Sequence, residues 1–319
     1  MAMRVWLRIN LPEREPELLR REFPGVEFLV GESLAAKDLA EVDAVFLSRM
    51  IPEDVLDGME KVRWIHSTMG GARNLLSPAV MARSIMATSS RGTSARSMSE
   101  FAVACMLILM KQILACREMQ GDRRKADIGA LRPRILEGSQ AGVVGLGTIG
   151  SAVAQRCSAL GMRVIGTRLH VATDPPFVDE VHPPEYFPTL ARRADALVLC
   201  APPTPLTEGL VGADLLQSMK PTAVLINVVT RNATVDEVAM VRALKEGRIA
   251  GAAFCVFGNA PAPPDESELW DLPNAIVCPG IAAYDPDKWA LQRDVFTENL
   301  RRFRAGGKLL NLANPAAGY

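Results

Sequence analysis

The sequence predicts an α/β protein with two Rossmann-like, doubly wound parallel-sheet domains that are joined by two crossing helices. Short apolar runs rich in β-forming residues alternate with helical patterns throughout the 319 residues, which is typical of parallel sheets. These runs lack the alternation of a half-exposed sheet, so helices are expected on both faces of each sheet. Two longer helical segments interrupt the alternation and are expected to cross between the domains.

The apolar runs fall into two sets of candidate strands. The first set lies at 4–9, 26–30, 44–48, 63–67 and 84–89. The second set lies at 141–145, 163–167, 196–201, 223–228, 251–257 and 274–279. The runs are short and mostly apolar, without the alternation of a half-exposed sheet, as expected for strands that are buried on both faces.

The two longer helical segments are predicted at about 96–118 and 286–304. For the second of these, Asp285 is the expected N-cap, Pro286 takes the first helical position and Gly306 stands just past the end. Apolar residues of this segment fall close to one face, which indicates an amphipathic helix packed on a domain.

Composition and charge exclude several classes of function. Lys and Arg (36) balance Asp and Glu (36), so nothing favours nucleic acid or a membrane as a partner. The longest apolar run, 101–110, has about half the length of a bilayer-spanning helix, and the N-terminus becomes charged too soon for a secretory signal. The six cysteines show no CxxC motif, which predicts free thiols, a cytoplasmic location and no metal site.

The strongest local signal is a glycine-rich turn between a strand and a helix. Gly145, Gly147 and Gly150 form the pattern G-x-G-x-x-G, with Thr148 and Ile149 at the expected start of the helix. Such a loop allows a tight turn and a close approach of the backbone to a pyrophosphate, which then meets the N–H groups of the helix N-terminus. Because the whole strand–loop–helix–strand unit is present, a dinucleotide-binding site is predicted.

The end of the next strand indicates which dinucleotide is bound. An acidic residue is expected there if the ribose 2′-hydroxyl is read, but the sequence has Thr167 and Arg168. A carboxylate would repel a 2′-phosphate, whereas a hydroxyl and a guanidinium can hold one. NADP(H) is therefore predicted in preference to NAD(H). The alternative is that Arg168 is a solvated surface residue.

With these segments the chain resembles the D-isomer-specific 2-hydroxyacid dehydrogenases, the superfamily of the glyoxylate and hydroxypyruvate reductases. The resemblance covers essentially the whole length and rests on the segments RWIHSTMGGARNLL, SSRGTSARSMSEFAVACML, GLGTIG, LCAPPTPLTEGLV, INVVTRNATVDEVAMVRALKEGRIAGAA and LWDLPNAIVCPGIAAYDPDKW. It implies hydride transfer between a nicotinamide and C2 of a small 2-oxo or 2-hydroxy acid.

The resemblance also implies a domain organisation and an assembly. A flavodoxin-like substrate domain would comprise 1–100 and 288–319, and a dinucleotide-binding domain would comprise 101–287. The chain would form a homodimer through roughly 114–137, the segment between the first crossing helix and the glycine loop.

Residues of the substrate site can be carried over from the family one at a time. The substrate loop maps onto Gly70, Gly71 and Ala72, with Arg73 beside it, and its main-chain N–H groups would hold the substrate carboxylate. The arginine that binds the carboxylate and carbonyl in the family maps onto Arg231, although NVVTR is one residue longer than the usual spacing.

Further cofactor contacts are implied at the ends of later strands of the dinucleotide domain. An aspartate that commonly contacts the nicotinamide amide in the family is replaced here by Cys255. The remaining positions are Ala201, Pro202, Val228 and Val229.

The acid–base pair of the family is missing from the sequence. The catalytic His position is occupied by Gly280 and the position of the Glu that orients it by Ala260, and neither residue can transfer a proton. Replacement donors would be water, His66 at the end of its strand, Tyr284 four residues past Gly280, or Arg73 beside the substrate loop.

Three interpretations follow from this departure. The first is an active NADP(H)-dependent reductase with a non-standard or missing proton donor, since losing general acid catalysis slows hydride transfer without forbidding it. The second is a catalytically impaired NADP(H)-binding protein that acts as a sensor or partner protein. The third gives Cys200, Cys255 and Cys278 a metal-binding or redox role, although buried cysteines are common as small apolar residues.

Overall fold

The computed structural model of the chain divides into two compact units. One contains 1–93 and 286–319, and the other contains 94–285. The structure describes residues 2–71, 75–121, 129, 131–169, 175–202, 204, 207–229, 234–255, 266–278 and 280–314.

The first unit is built on a parallel sheet of five strands. The strands are β1 (Met3–Arg8), β2 (Val26–Val30), β3 (Ala44–Leu47), β4 (Trp64–Ser67) and β5 (Met86–Ser89). Their order is β2-β1-β3-β4-β5, with parallel pairing throughout. This is the flavodoxin-like order of doubly wound sheets, and all five strands lie where the apolar runs predict them.

The second unit is built on a parallel sheet of seven strands. They are β6 (Gln140–Val144), β7 (Arg163–Thr167), β8 (Glu180–His182), β9 (Ala196–Leu199), β10 (Val224–Asn227), β11 (Gly251–Phe254) and β12 (Ala275–Val277). Their order is β12-β11-β10-β9-β6-β7-β8. The chain changes direction across the sheet between β6 and β9, and such a point forms the ligand-binding crevice of an open α/β sheet.

Helices cover the sheets on both faces. In chain order they are α1 (Glu15–Glu22), α2 (Ala36–Leu39), α3 (Glu53–Asp57), α4 (Pro78–Ala82), α5 (Ala95–Met110), α6 (Ile113–Gly121), α7 (Thr148–Ala159), α8 (Phe187–Arg193), α9 (Ala213–Ser218), α10 (Glu237–Lys245) and α11 (Lys288–Arg304). In the second unit, α5 and α7 bury one face of the sheet, and α8, α9 and α10 bury the other. The prediction of doubly wound parallel sheets is confirmed.

An aromatic stack joins α11 to the sheet of the first unit. The ring centroid of Phe296 lies 4.3 Å from that of Phe46 and 5.5 Å from that of Trp64, and the ring planes of both pairs are nearly parallel. All three side chains are fully buried. Since aromatic burial contributes strongly to core energetics, this stack makes the C-terminal helix part of the N-terminal sheet's core.

Three expectations from the sequence need correction. The single helix expected at 96–118 is two helices, α5 and α6, which meet at an angle of 61°. The break falls at Gln112, whose φ of +56° lies in the left-handed region that ends helices. In the part of the chain that is described, no single helix is both long and apolar enough to span a membrane, and this bent pair passes only when its members are counted together.

The second correction concerns the start of α11. The helix begins at Lys288 with Asp287 at the N-cap position, two residues later than expected. Asp285 is not the cap of this helix, because the Asp285 carboxylate pairs with Arg96 instead.

The third correction concerns β8, which the sequence did not predict. Three residues long and containing Glu and His, this edge strand offers no apolar run to detect.

Candidate active site

The glycine loop joins β6 to α7 at the point where the sheet order reverses. Gly145 has a φ of +92°, a conformation that favours glycine. A Cβ added there would lie 2.7 Å from the backbone N and Cα of Ala201, which follows β9. The N–H of Gly145 donates to the carbonyl oxygen of Thr167 over 3.0 Å. The loop is therefore pressed between the ends of β7 and β9.

The other two glycines of the motif meet different demands. A Cβ added at Gly150 would lie 2.0 Å from the carbonyl oxygen of Gly145, so α7 can seat against the loop only without a side chain there. A Cβ added at Gly147 would meet nothing within 4 Å, and Gly147 and Thr148 are exposed. The packed first and third glycines and the open second glycine match the requirements of a pyrophosphate cradle. These residues fit a dinucleotide.

The end of β7 lies beside this loop. Thr167 is buried, and its carbonyl oxygen accepts N–H bonds from both Gly145 and Leu146. The backbone N–H of Arg168 donates to the carbonyl oxygen of His182 over 3.1 Å, which fixes the chain at the start of the following loop. Arg168 is half-buried. It occupies the strand end at which dinucleotide-binding domains read the ribose.

The remaining predicted cofactor residues follow the other strand ends in a row. Ala201 follows β9, Val228 and Val229 follow β10, and Cys255 follows β11. Val228, Val229 and Cys255 are buried and pack into the cores of the second unit. These side chains therefore shape the crevice through packing, and Pro202 lies beside Ala201.

Three thiols meet behind the ends of β11 and β12. The Sγ atoms of Cys255 and Cys105 lie 3.8 Å apart, and Cys105 projects from α5. Hydrogen bonding to Cys105 and burial raise the pKa of Cys278 well above that of an ordinary thiol. Hydrogen bonding to Cys255 is the main reason that the pKa of Cys105 is also raised. With raised pKa values, the thiols of Cys105 and Cys278 remain protonated at neutral pH and are poor nucleophiles.

The structure gives no support to a metal-binding role for the cysteines. Within the described ranges, no group of three or more His, Cys, Asp or Glu side chains is placed to hold a metal ion. All six cysteines are free.

Gly280 begins a tight turn after β12. Its φ is +79°, its N–H donates to the carbonyl oxygen of Cys278 over 2.8 Å, and a Cβ there would meet nothing within 4 Å. The turn is tied to the first turn of α5, because the Ser97 hydroxyl donates to the carbonyl oxygens of Ala282 (2.7 Å) and Tyr284 (2.5 Å). Tyr284 itself has a side chain exposed to solvent, 73% of the residue's surface being accessible.

An ion pair fixes the end of the same turn. Arg96 donates through Nε and Nη2 to the two carboxylate oxygens of Asp285, each over 2.6 Å. The carboxylate is almost fully buried, with 2% of its side chain exposed. This bidentate geometry is the strongest form of such a pair. Sequence reasoning missed Arg96 and Ser97, although two polar residues in the first turn of an otherwise apolar helix were the available signal.

His66 lies in a directed chain of buried hydrogen bonds in the first unit. Trp64 donates through Nε1 to the hydroxyl of Thr88 over 2.8 Å, so the Thr88 hydrogen is left for Nδ1 of His66, 2.7 Å away. Nε2 of His66 then carries the proton and donates to the hydroxyl of Ser90 over 3.1 Å. Ser90 donates onward to the carbonyl oxygen of Ser67 over 3.0 Å. Each hydrogen in the chain has one acceptor.

This series of buried hydrogen bonds supports the predicted substrate loop. The N–H of Ser90 donates to the carbonyl oxygens of Ser67 and Met69, and the Ser89 hydroxyl donates to that of Gly70. Gly70 and Gly71 are exposed. His66 itself is fully buried, and burial lowers its pKa to about 3, so its ring is neutral at physiological pH. These contacts argue against His66 as the proton donor and make it a support for the loop.

Four predicted site residues lie outside the described residues. They are Ala72 and Arg73 of the substrate loop, Arg231 and Ala260.

The replacement Gly150→Ala is expected to weaken dinucleotide binding. The new Cβ collides with the backbone of Gly145, so the loop must shift, and a loss of about 1.4 kcal/mol raises the dissociation constant about tenfold. Fluorescence titration with NADPH measures this. Gly212→Ala is the matched control, because a Cβ there meets nothing within 4 Å and the backbone is extended. Equal affinities for the two variants would contradict the steric role of Gly150.

A second prediction concerns the stability of the protein in acid. Burial lowers the pKa of His66 to about 3 in the folded protein. The contribution of its neutral ring to the free energy of unfolding is therefore fully present above the ordinary pKa of 6.5. It is lost as pH falls from 6.5 toward 3, at up to about 1.4 kcal/mol per pH unit. Urea unfolding should therefore show that His66→Gln is less stable than the wild type at pH 7. The difference between their free energies of unfolding should become smaller toward pH 4. Parallel curves would rule out a buried neutral ring.

Comparison with known proteins agrees with this architecture. Residues 103–282 match the family model for the NAD-binding domain of D-isomer-specific 2-hydroxyacid dehydrogenases. A glyoxylate reductase of Thermococcus litoralis is 30% identical over 285 residues, which cover 86% of this chain and 84% of that protein.

Solved structures of this family are similar to the chain over nearly its full length. A D-isomer-specific 2-hydroxyacid dehydrogenase from Xanthobacter autotrophicus, bound to NADPH and MES, is 25% identical with a TM-score of 0.84, and each chain is covered completely. The NADPH-dependent glyoxylate/hydroxypyruvate reductase of Sinorhizobium meliloti, bound to NADP and malonate, is 26% identical with a TM-score of 0.76, covering 99% of this chain and 98% of that one. The chain therefore belongs to the D-isomer-specific 2-hydroxyacid dehydrogenase family.

Proposed function

We propose that the protein is an NADP(H)-dependent reductase that transfers a hydride to C2 of a small 2-oxo acid or a close analogue of one. The observation that carries this proposal is the glycine loop, in which Gly145 and Gly150 are sterically required and Gly147 is open. Family membership supports the reaction type. The bound dinucleotide would supply the hydride.

The preference for NADP(H) rests on the end of β7. Arg168 stands where an acidic residue would read the ribose 2′-hydroxyl, and its guanidinium suits a 2′-phosphate. Thr167 is buried at the strand end, so Arg168 is the residue on which the predicted contact with a 2′-phosphate mainly depends. The Sinorhizobium and Xanthobacter proteins were solved with NADP and NADPH, which agrees with this preference.

The chain's other residues would bind and orient the substrate. The N–H groups of the loop at Gly70 and Gly71 are proposed to hold the carboxylate, with Arg231 binding the carboxylate and the group at C2. Holding the reacting groups in position contributes much of the rate in such reactions. In this proposal the first unit is the substrate domain and the second binds the dinucleotide.

A homodimer in the cytoplasm completes the proposal. Helix α6 has no fully buried residue, and its Ile113 is 50% exposed, an apolar contact point that suits a subunit interface. Free thiols suit a reducing compartment.

The cofactor assignment predicts the behaviour of Arg168→Asp. A carboxylate there repels a 2′-phosphate and accepts a bond from a 2′-hydroxyl, so the ratio of affinities for NADPH and NADH should fall by about 10–100-fold, since such charged contacts are worth roughly 1.5–3 kcal/mol. Fluorescence titration with each nucleotide measures the ratio. Arg192→Asp, an exposed change of equal charge on α8, is the control. An unchanged ratio in Arg168→Asp would refute the assignment.

The alternative is a dinucleotide-binding protein without turnover, which Gly280 and Ala260 would favour. Purified protein should oxidise NADPH with at least one of glyoxylate, hydroxypyruvate or larger 2-oxo acids and their imines. Tight NADPH binding with no oxidation by any of these would favour the sensor or partner role.

Restoring the family pair, Gly280→His with Ala260→Glu, tests whether the site presents a 2-oxo acid correctly. A gain toward about 10²-fold in the rate of 2-oxo acid reduction is expected if the geometry persists, because general acid catalysis contributes about 10²–10⁴-fold. The φ of +79° at Gly280 opposes a side chain by roughly 1–2 kcal/mol, so the gain should stay at the lower end. Gly280→Ala with Ala260→Glu controls for the backbone. An equal rate in the two double variants would mean a remodelled site.

A further inference from the structure

The strand end that holds the family's proton donor is rebuilt here as a side-chain-free turn. Gly280 adopts a left-handed conformation that disfavours any other residue, and the turn after it is fastened at Ala282, Tyr284 and Asp285 by Ser97 and Arg96. The turn is therefore an ordered alternative to the donor.

The thiol that precedes this turn is a poor acid at neutral pH. Cys278, two residues before Gly280, has a pKa raised by its hydrogen bond to Cys105 and by burial. General acids work best when their pKa lies near the operating pH.

His66, the histidine considered as a proton donor, already uses both ring nitrogens in hydrogen bonds within the first unit. His66 is neutral, and its one N–H donates to Ser90 as part of the support under the substrate loop. It therefore offers no acidic imidazolium to a substrate. Tyr284, the other residue considered as a donor, has a side chain exposed to solvent. The described residues of the Gly280 turn therefore suit a hydride addition in which no proton has to be supplied.

Hydride addition to a carbonyl always needs such a proton. When the hydride joins C2 of a 2-oxo acid, the electron pair of the C=O bond moves to oxygen and leaves an alkoxide, which must be protonated. When it joins C2 of an iminium ion, the electron pair of the C=N bond moves to the positive nitrogen and leaves a neutral amine. C2 is reduced, the nicotinamide is oxidised, and charge balances without a donor.

We propose that the preferred substrate is a 2-imino acid in its protonated form, the condensation product of a 2-oxo acid with ammonia or a primary amine. The proposal rests on the hydride-transfer function above and changes only the atom bound to C2. The carboxylate is shared with 2-oxo acids, so the loop at Gly70 and Gly71 serves both.

The test compares NADPH oxidation with pyruvate alone and with pyruvate plus methylamine, against a background without protein. The expected result is a rate that depends on methylamine, about 10²-fold higher per molecule of imine than per molecule of pyruvate, because the missing acid costs the carbonyl reaction at least that much. Mass spectrometry should identify N-methylalanine rather than lactate as the product. The rate should also be nearly the same in heavy water, since no proton moves in the hydride step.

The outcomes separate this inference from the function on which it rests. Lactate formed at the same rate with and without methylamine would overturn the imine proposal and leave the 2-oxo acid reductase standing. A marked slowing of the imine reaction in heavy water would also overturn it, by showing a proton transfer in the rate-limiting step. Undiminished NADPH binding by fluorescence with no oxidation under either condition would overturn both.

Discussion

The backbone contact between the glycine loop and the end of β9 is the constraint on which the second unit depends. Gly145 lies so close to Ala201 that a Cβ at 145 would overlap the Ala201 backbone, and Gly150 lies still closer to the backbone of Gly145. These contacts set where α7 begins and which N–H groups it presents. Because interiors are close-packed, a shift at this point would propagate into the sheet. The cofactor site is thus specified by backbone sterics more than by any functional side chain.

Helix α5 imposes a second, independent constraint on the same sheet. Its first turn holds the Gly280 turn through Ser97 and Arg96, and further along Cys105 packs against the thiols that follow β11 and β12. One rigid element therefore positions the ends of two neighbouring strands. The side chains that do this are hydroxyl, guanidinium and thiol groups, and the contacts to Ala282, Asp285 and Cys255 are buried or partly buried. The geometry of this corner of the second unit does not require a catalytic residue at 280.

Local patterns in the sequence were enough to predict both sheets and the glycine loop, because a buried strand is an apolar run and a tight turn needs glycine. They failed where the determining contact is remote or the signal is absent. Cys105 and Cys255 are 150 residues apart, so their contact has no local signature. The break at Gln112 occurs in a residue that is ordinary in helices, and β8 is polar. His66 was a reasonable acid by residue type, but its burial and its two partners depend on the tertiary structure.

The separation between these two constraints would let the fold keep its dinucleotide cradle if the chemistry changed as proposed. The dinucleotide cradle depends on glycines whose replacement costs packing energy, so it is hard to alter without loss of the fold. The reaction centre depends on side chains at strand ends, and a side chain there can be removed if the backbone finds a stable turn. Gly280 shows that turn in an ordered form, tied to α5 by ion pairing and hydrogen bonds. Without a donor the reduction of a carbonyl loses general acid catalysis, whereas an iminium ion brings its own positive charge to accept the electron pair. A substrate with a positively charged nitrogen at C2 would therefore make the proton donor dispensable while the groups that position the hydride stay unchanged.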